Sequence, residues 1–147
     1  MMVAPREKLL SAALRHLRDA EHLFASGSGD RSLDQAWHLA GFGPECARKA
    51  FLSDAIFDQV LGHEWSADSE SLLEMALALD PSSWRHRLDG WAVRKPILCH
   101  WSPEHRYERT GTRLESETDQ LLMAARDLVD DVLLGAWTDG SLESVEI

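Results

Sequence analysis

The basic and aromatic residues of this sequence are concentrated in residues 85–113, a segment that we call the basic island. It holds seven Lys/Arg against three Asp/Glu, a formal charge of +4, whereas the rest of the chain carries −14. Three of the seven histidines lie in the island, and tryptophans occur within it and directly before it. Guanidinium and ammonium groups bind phosphate, aromatic rings stack on bases, and histidine titrates near neutral pH. The island is therefore the main candidate for a functional surface.

The candidate binding residues are cationic and aromatic side chains of the island: Arg85, Arg87, Lys95, Trp101, Arg106, Tyr107, Arg109 and Arg113. They predict a surface for RNA or a nucleotide. For the rings of Trp84, Trp91, Trp101 and Tyr107, however, we favour packing at the end of a core or in a dimer interface over base stacking. A further alternative is a purely structural interaction module, in which the island only neutralises the acidic helices of a protein partner.

The overall composition argues against several classes of protein. A net charge of −10 over 147 residues is unsuited to coating nucleic acid through bulk charge. No apolar run approaches the roughly 20 residues of a membrane span, and no signal core follows the N-terminus, so we expect a cytoplasmic protein without membrane contact. Cys46 and Cys99 are expected to be two buried, reduced thiols. Neither an HExxH motif nor a Cys/His cluster is present, so we expect no metal and no cofactor.

Apolar residues recur at helical spacing in four stretches, which predicts main helices at 5–25, 32–62, 69–79 and 114–137. A brief helix is expected at 82–88, whereas 90–112 has no clear period and should be irregular or hold one short helix. The apolar stripe of the first helix is Leu9, Ala13, Leu17, Ala20 and Phe24. The stripe of the last helix is Leu121, Ala125, Leu128, Val132 and Trp137. We therefore predict an all-α, up-and-down bundle of four to five helices, with a single domain at 1–138 and a frayed acidic tail at 139–147.

The second predicted helix contains its own start signal and an unusual middle. Ser32 can cap its N-terminus, with Gln35 as the capping-box partner. Pro44 lacks an N–H and crowds the preceding turn, so a kink or a break is expected there. Gly41 and Gly43 would let another backbone approach closely.

Three sequence elements resemble signatures of the HEPN superfamily. Residues 37–52 read Trp-His-Leu-Ala-Gly-Phe-Gly-Pro-Glu-Cys-Ala-Arg-Lys-Ala-Phe-Leu, similar to a family helix in which an aromatic is followed by Leu-Ala-Gly, Glu-Cys and Lys-Ala. Gly62-His63-Glu64 resembles the Gly-His-Asp that follows this helix in the family. Trp101, followed after four residues by Arg106-Tyr107, resembles a Trp-x4-Arg-Tyr element before the family's last helix. Order and spacing agree over about residues 33–129.

The resemblance implies a helical bundle that often dimerises. Relatives include ribonucleases, toxins paired with a nucleotidyltransferase antitoxin, parts of phage-defence systems and non-catalytic binding domains, and fold likeness alone does not choose among them. We expect a homodimeric module for binding RNA or nucleotide, or an accessory module, in a prokaryotic conflict or regulatory system. A nucleotidyltransferase-type protein is a candidate partner. For Glu45 and Lys49, four residues apart, the simplest expectation is a solvent-facing ion pair, and the resemblance adds the alternative of buried structural groups.

The resemblance also implies an alternative, catalytic function. Active relatives are metal-independent endoribonucleases in which an Arg is followed, after four to six residues, by a His. The His acts as acid or base on the 2′-hydroxyl and the leaving oxygen, while the Arg steadies the phosphate charge. Arg94 and His100 fit this spacing with five residues between them. Pro96 lies between the two, so a regular helix that presents both on one face is not favoured.

Two observations weaken the catalytic alternative. The Arg106-Tyr107 element has no histidine after it, so if the family's active pair belongs at that site, this chain lacks it. Arg31 and His38 also fit the spacing, with six residues between them, which shows how permissive the pattern is in a chain with fifteen basic residues and seven histidines.

Overall fold

A computed structural model describes residues 6–25, 27, 29–50 and 90–138 of the chain. In these ranges the chain is mostly helical and has no strand, which confirms the predicted all-α class for the described part. The elements are α1 (Arg6–Phe24), α2 (Leu33–Lys49), α3 (Trp91–Arg94), the 3₁₀-helices η1 (Pro96–His100) and η2 (Pro103–Tyr107), and α4 (Glu115–Thr138). The predicted helices at 69–79 and 82–88, the second half of the second helix, Arg85, Arg87 and the tail at 139–147 lie outside the described residues. Among the helices described, none combines the length and the apolar character needed to cross a membrane.

The three long helices pack on one another around a shared apolar core. α1 lies close to its predicted bounds and buries the stripe Leu10, Ala13, Leu14, Leu17 and Ala20. α4 buries Leu121, Ala125, Leu128 and Val132 as predicted, but Trp137 is 60% exposed and Ala136 is buried in its place. One position along a helix rotates the side chain by about 100°. Trp137 therefore lies beside the apolar stripe rather than on it.

α2 begins at the predicted cap. The Ser32 hydroxyl accepts a hydrogen bond from the backbone N–H of Gln35. The reciprocal half of the predicted capping box is absent, because the Ser32 N–H donates to the Leu23 carbonyl instead. Of the kink or break predicted at Pro44, the break does not occur, since α2 runs continuously through this buried residue. Packing of the buried face of α2 outweighs the loss of one internal hydrogen bond.

The two glycines of α2 create room for close contacts, and the predicted approach of another backbone occurs at Gly43. A Cβ on Gly43 would lie 3.3 Å from the backbone oxygen of Ala13 in α1. A Cβ on Gly41 would overlap the buried indole of Trp101, which crosses the helix at this point. Gly41 therefore determines how closely the segment that carries Trp101 can approach α2.

Replacing Gly41 with Ala should destabilise the fold by about 2 kcal/mol, because the added methyl group forces the Trp101 ring out of its packed position. Chemical denaturation followed by tryptophan fluorescence measures this free energy of unfolding. Gly29→Ala is the matched control, since nothing lies within 4 Å of a Cβ at this loop position. Equal stability of the two variants would contradict the packing described for Trp101.

The segment from Gly90 to Leu114 has more regular structure than expected. It contains one four-residue α-helix and two 3₁₀-helices, and each of the latter begins with a proline, Pro96 or Pro103. Proline suits a first helical position because its fixed φ is already helical and its missing N–H would have no partner there. Trp91 and Trp101 are buried, in agreement with the packing interpretation, whereas Tyr107 is 73% exposed. Trp84 lies outside the described residues.

Candidate functional site

An open cavity of about 400 Å³ lies between η1 and α4. Its charged and polar lining consists of Arg94, Lys95, His100 and Gln120. Its apolar lining consists of Pro96, Ile97, Met123 and Ala124. A concave site with an apolar wall and a few convergent polar groups is the usual form of a small-ligand site.

The cavity follows from the way the chain turns at Lys95. Gly90, with φ of 78°, precedes α3, and the buried Trp91 fixes that short helix to the core. A 3₁₀-helix has three residues per turn, so Ile97 and His100 share one side of η1 and both line the cavity. Leu98 is buried and anchors the helix to the core.

The structure brings Arg94 and His100 to the same cavity. No regular helix carries both, as expected from the proline between them, because α3 ends at Arg94 and η1 begins at Pro96. The guanidinium carbon of Arg94 lies 4.2 Å from the ring centroid of Trp91, which is a cation–π contact. His100 is exposed. The two side chains are therefore accessible from the same opening, one stacked on an indole and the other facing solvent.

Lys95 is a second cationic residue of the cavity, and it is engaged within the chain. Its Nζ lies 2.9 Å from Oδ2 of Asp127 on α4. Both side chains remain substantially exposed, at 38% for Lys95 and 54% for Asp127. Ion pairs of this exposure contribute little to stability.

The remaining candidate binding residues that are described lie elsewhere. Arg106 and Tyr107 belong to η2, which packs against α2, whereas η1 packs against α4. The Arg106 guanidinium lies 4.7 Å from the exposed Tyr107 ring, and Arg109 is also exposed. None of these three residues lines the cavity. The described part of the basic island therefore lies in two places, with η1 against α4 and η2 against α2.

Arg113 and Trp101 have structural contacts that account for their positions. Arg113 forms a two-bond ion pair with Glu108 and stacks over Trp37, with its guanidinium carbon 4.3 Å from the ring centroid. Trp101 donates its Nε1 hydrogen bond to the carbonyl of His38 and packs edge-on against Phe42. The position of Trp101 favours packing over base stacking.

A cluster of three histidines joins α1, α2 and η2, and the sequence analysis did not detect it. His38 packs edge-on against Phe42, at 4.9 Å between ring centroids, and His16 contacts the same ring at 5.6 Å. His105 Nδ1 accepts hydrogen bonds from Trp37 Nε1 at 2.9 Å and from the Ser102 backbone N–H at 3.3 Å. The four-residue spacing of His38 and Phe42 hints at their contact. No local pattern pairs Trp37 with His105, 68 residues away.

Burial is the main cause that lowers the pKa of each of these histidines below its usual 6.5. The nearby Arg106 guanidinium lowers the pKa of His38 further. Arg113 does the same for the pKa of His105, against the opposing effect of Glu108 and Glu117. A neutral imidazole that accepts two N–H groups is well suited to tethering η2 to α2.

The cysteines differ from expectation in one respect. Cys46 is partly buried, and burial raises the pKa of its thiol. Cys99 is exposed, so the prediction of two buried thiols is wrong for this residue. It lies on the outer side of η1, next to the buried Leu98. Among the described residues no three His, Cys, Asp or Glu side chains are grouped so that they could hold a metal ion.

No family model, curated protein or solved structure matches this chain. The HEPN resemblance therefore depends on the sequence motifs and on what their residues do in the fold.

Residues of two of those motifs contact each other in the structure. Gly41, from the Leu-Ala-Gly element, lies under the ring of Trp101, which begins the Trp-x4-Arg-Tyr element. Glu45 and Lys49 form the predicted ion pair, but their side chains are only 5% and 12% exposed, so the expectation that the pair faces solvent is wrong. These motif residues are structural, and the cavity is formed mainly by residues outside the motifs.

Proposed function

We propose that this chain is a HEPN-like, up-and-down helical bundle that binds RNA or a nucleotide through the cavity between η1 and α4. We further propose that it works as a cytoplasmic homodimer in a toxin–antitoxin, phage-defence or regulatory system, with a nucleotidyltransferase-type protein as a candidate partner. The observation that carries the binding proposal is the convergence of Arg94, Lys95 and His100 on one cavity with an apolar wall.

The chemistry of the cavity matches the two parts of a nucleotide. The Arg94 guanidinium lies over the Trp91 ring at the cavity, and a guanidinium presents a planar fork of donors that suits phosphate oxygens. Ile97, Met123 and Ala124 supply the apolar surface on which a base can lie. Because the net charge of −10 repels nucleic acid at long range, binding requires a local site of this kind.

Replacing Arg94 with Gln should weaken RNA binding on the order of tenfold, the value of one charge-assisted hydrogen bond to phosphate. The measurement is fluorescence anisotropy with a fluorescein-labelled, ten-nucleotide single-stranded RNA at fixed salt. Arg109→Gln is the matched control: it removes the same charge from the same island, at an exposed position that does not line the cavity. We expect less than a twofold change for this control. Equal losses in both variants would show that the island acts only through its summed charge.

A second candidate function, metal-independent endoribonuclease activity, is supported by the shared cavity of Arg94 and His100. In that case the wild-type protein is toxic on expression, and the RNA it cleaves carries 2′,3′-cyclic phosphate ends. His100→Ala should abolish cleavage while RNA binding persists, because the imidazole would be needed for proton transfer rather than for affinity. Intact RNA after prolonged incubation with wild-type protein and EDTA excludes this activity.

The interaction-module alternative predicts a different pair of results. The purified chain would bind neither RNA nor nucleotide, yet it would retain a stable protein partner in a pull-down. Size-exclusion chromatography with light scattering tests the homodimer separately, since a 147-residue monomer and its dimer differ twofold in mass.

A further inference from the structure

We infer that Asp127 is an intramolecular competitor for the phosphate ligand of the cavity and so sets its affinity. The inference rests on the proposed function. In the free protein the Asp127 carboxylate occupies the Lys95 ammonium, with Nζ 2.9 Å from Oδ2. An incoming phosphate oxygen would need the same ammonium and must therefore displace the carboxylate.

The position of Asp127 fits this exchange. It follows Met123 by four residues and Ala124 by three on α4, so it lies one turn beyond the apolar wall of the cavity. Asp127 itself lines a second open cavity of about 290 Å³, whose other charged residues are Glu21, Asp119 and Arg126. Met123 lines both cavities.

The surroundings of Asp127 make its release inexpensive. Its side chain is 54% exposed, so the carboxylate can rotate into the water of the second cavity when Lys95 is taken by phosphate. Arg126 does not hold Asp127 there, because its guanidinium already binds Glu21 through two nitrogens and also contacts Asp130. Among the contacts described, Lys95 is the one cation that Asp127 binds, whereas a phosphate in the cavity would also lie beside Arg94. The exchange therefore favours the phosphate.

Asp127→Asn should tighten binding of the labelled ten-nucleotide RNA about threefold, the ratio that an exposed ion pair of this kind supplies. Asp130→Asn is the matched control, because it removes the same charge from the same helix one turn further from the cavity. We expect it to change the dissociation constant by less than about 1.5-fold, because salt screens a surface charge that lies further from the cavity. Thermal unfolding confirms that both variants remain folded.

A double-mutant cycle separates local competition from a general charge effect. In a Lys95→Gln background the gain from Asp127→Asn should disappear, because there is no ammonium left to compete for. A gain that persists without Lys95, or an equal gain in Asp130→Asn, overturns the inference. Unchanged RNA affinity of the Asp127→Asn variant also overturns the inference, if Arg94→Gln has been found to weaken RNA binding. If neither the wild-type protein nor any variant binds RNA, the proposed function fails, and the inference about Asp127 fails with it.

Discussion

Replacing Lys49 with Met should lower the free energy of unfolding by about 3 kcal/mol, the largest effect that we expect from a single substitution. Lys49 Nζ lies 2.5 Å from Oε1 of Glu45, and the two side chains are only 12% and 5% exposed. Removing one partner of a buried ion pair leaves the other charge in a medium that solvates it poorly, and such changes typically cost about 3–5 kcal/mol. Methionine retains most of the aliphatic length of lysine, so lost packing contributes little.

The chain offers a matched control for this prediction. Lys95→Met makes the same substitution in the exposed pair with Asp127, and we expect it to cost less than about 1 kcal/mol. Urea titration followed by circular dichroism at 222 nm gives both free energies. A double variant, Glu45→Met with Lys49→Met, should be more stable than Lys49→Met alone because it also removes the buried carboxylate that has lost Lys49. If Lys49→Met and Lys95→Met are equally stable, the Glu45–Lys49 pair is not a buried ion pair in solution.

This pair also illustrates what sequence can and cannot predict. The four-residue spacing of Glu45 and Lys49 predicts the ion pair, because the contact depends only on helical geometry. Burial of the pair depends on how other segments cover α2, and spacing carries no information about that. The same distinction explains Trp137, which the apolar period assigned to the core and which the fold leaves exposed.

Local signals predicted the three long helices. The apolar stripes of α1 and α4 and the Ser32 cap of α2 are encoded within a few residues. The structure reproduces them, except that Leu9 and Phe24 are only partly buried and Trp137 is exposed. Pro44 was misread because its local cost was visible and the compensating packing of α2 was not. The lack of a clear apolar period over 90–112 did not indicate the two 3₁₀-helices that begin at Pro96 and Pro103.

The candidate site was predicted only in part, for the same reason. Composition identified the basic island, and a spacing pattern selected Arg94 and His100, which do line one cavity. The pattern could not show that Arg113 is engaged by Glu108 and Trp37, or that Lys95 reaches Asp127. These partners lie on separate elements, and only the folded chain brings them together.

The second large effect is acid destabilisation between about pH 6.5 and pH 5, caused by His16, His38 and His105. The pKa of each lies below its usual 6.5 in the folded protein, mainly through burial, so the unfolded chain binds more protons than the folded chain in this range. Stability is therefore complete above pH 6.5 and falls as the pH decreases towards the folded-state pKa values. For Asp34, burial alone would raise the pKa, but hydrogen bonds from the backbone of Gly111, Arg113 and Thr112 lower it below 3.8.

His105 provides the sharpest test, because its Nδ1 must stay unprotonated to accept the N–H groups of Trp37 and Ser102. Protonation would turn this acceptor into a third donor and separate η2 from α2. The charged groups around the ring act in both directions: Arg113 opposes protonation, whereas Glu108 and Glu117 favour it. Burial and Arg113 together prevail, so the neutral ring with its proton on Nε2 is the form that we expect near pH 7. Nitrogen-15 NMR of the histidine rings detects this tautomer directly.

His105→Asn separates the hydrogen-bond acceptor role of this side chain from its protonation. The Asn side-chain oxygen can take the place of Nδ1 as acceptor but does not titrate, so this variant should lose about a third less stability than wild type between pH 6.5 and pH 5. His100→Asn, on the exposed rim of the cavity, is the control and should retain the wild-type pH dependence. Urea midpoints at half-unit pH intervals provide the comparison. An identical pH dependence for His105→Asn and wild type would mean that the junction of α2 and η2 tolerates a charged His105. The attachment of η2 to α2 would then have to depend on Asp34 and Arg113 instead.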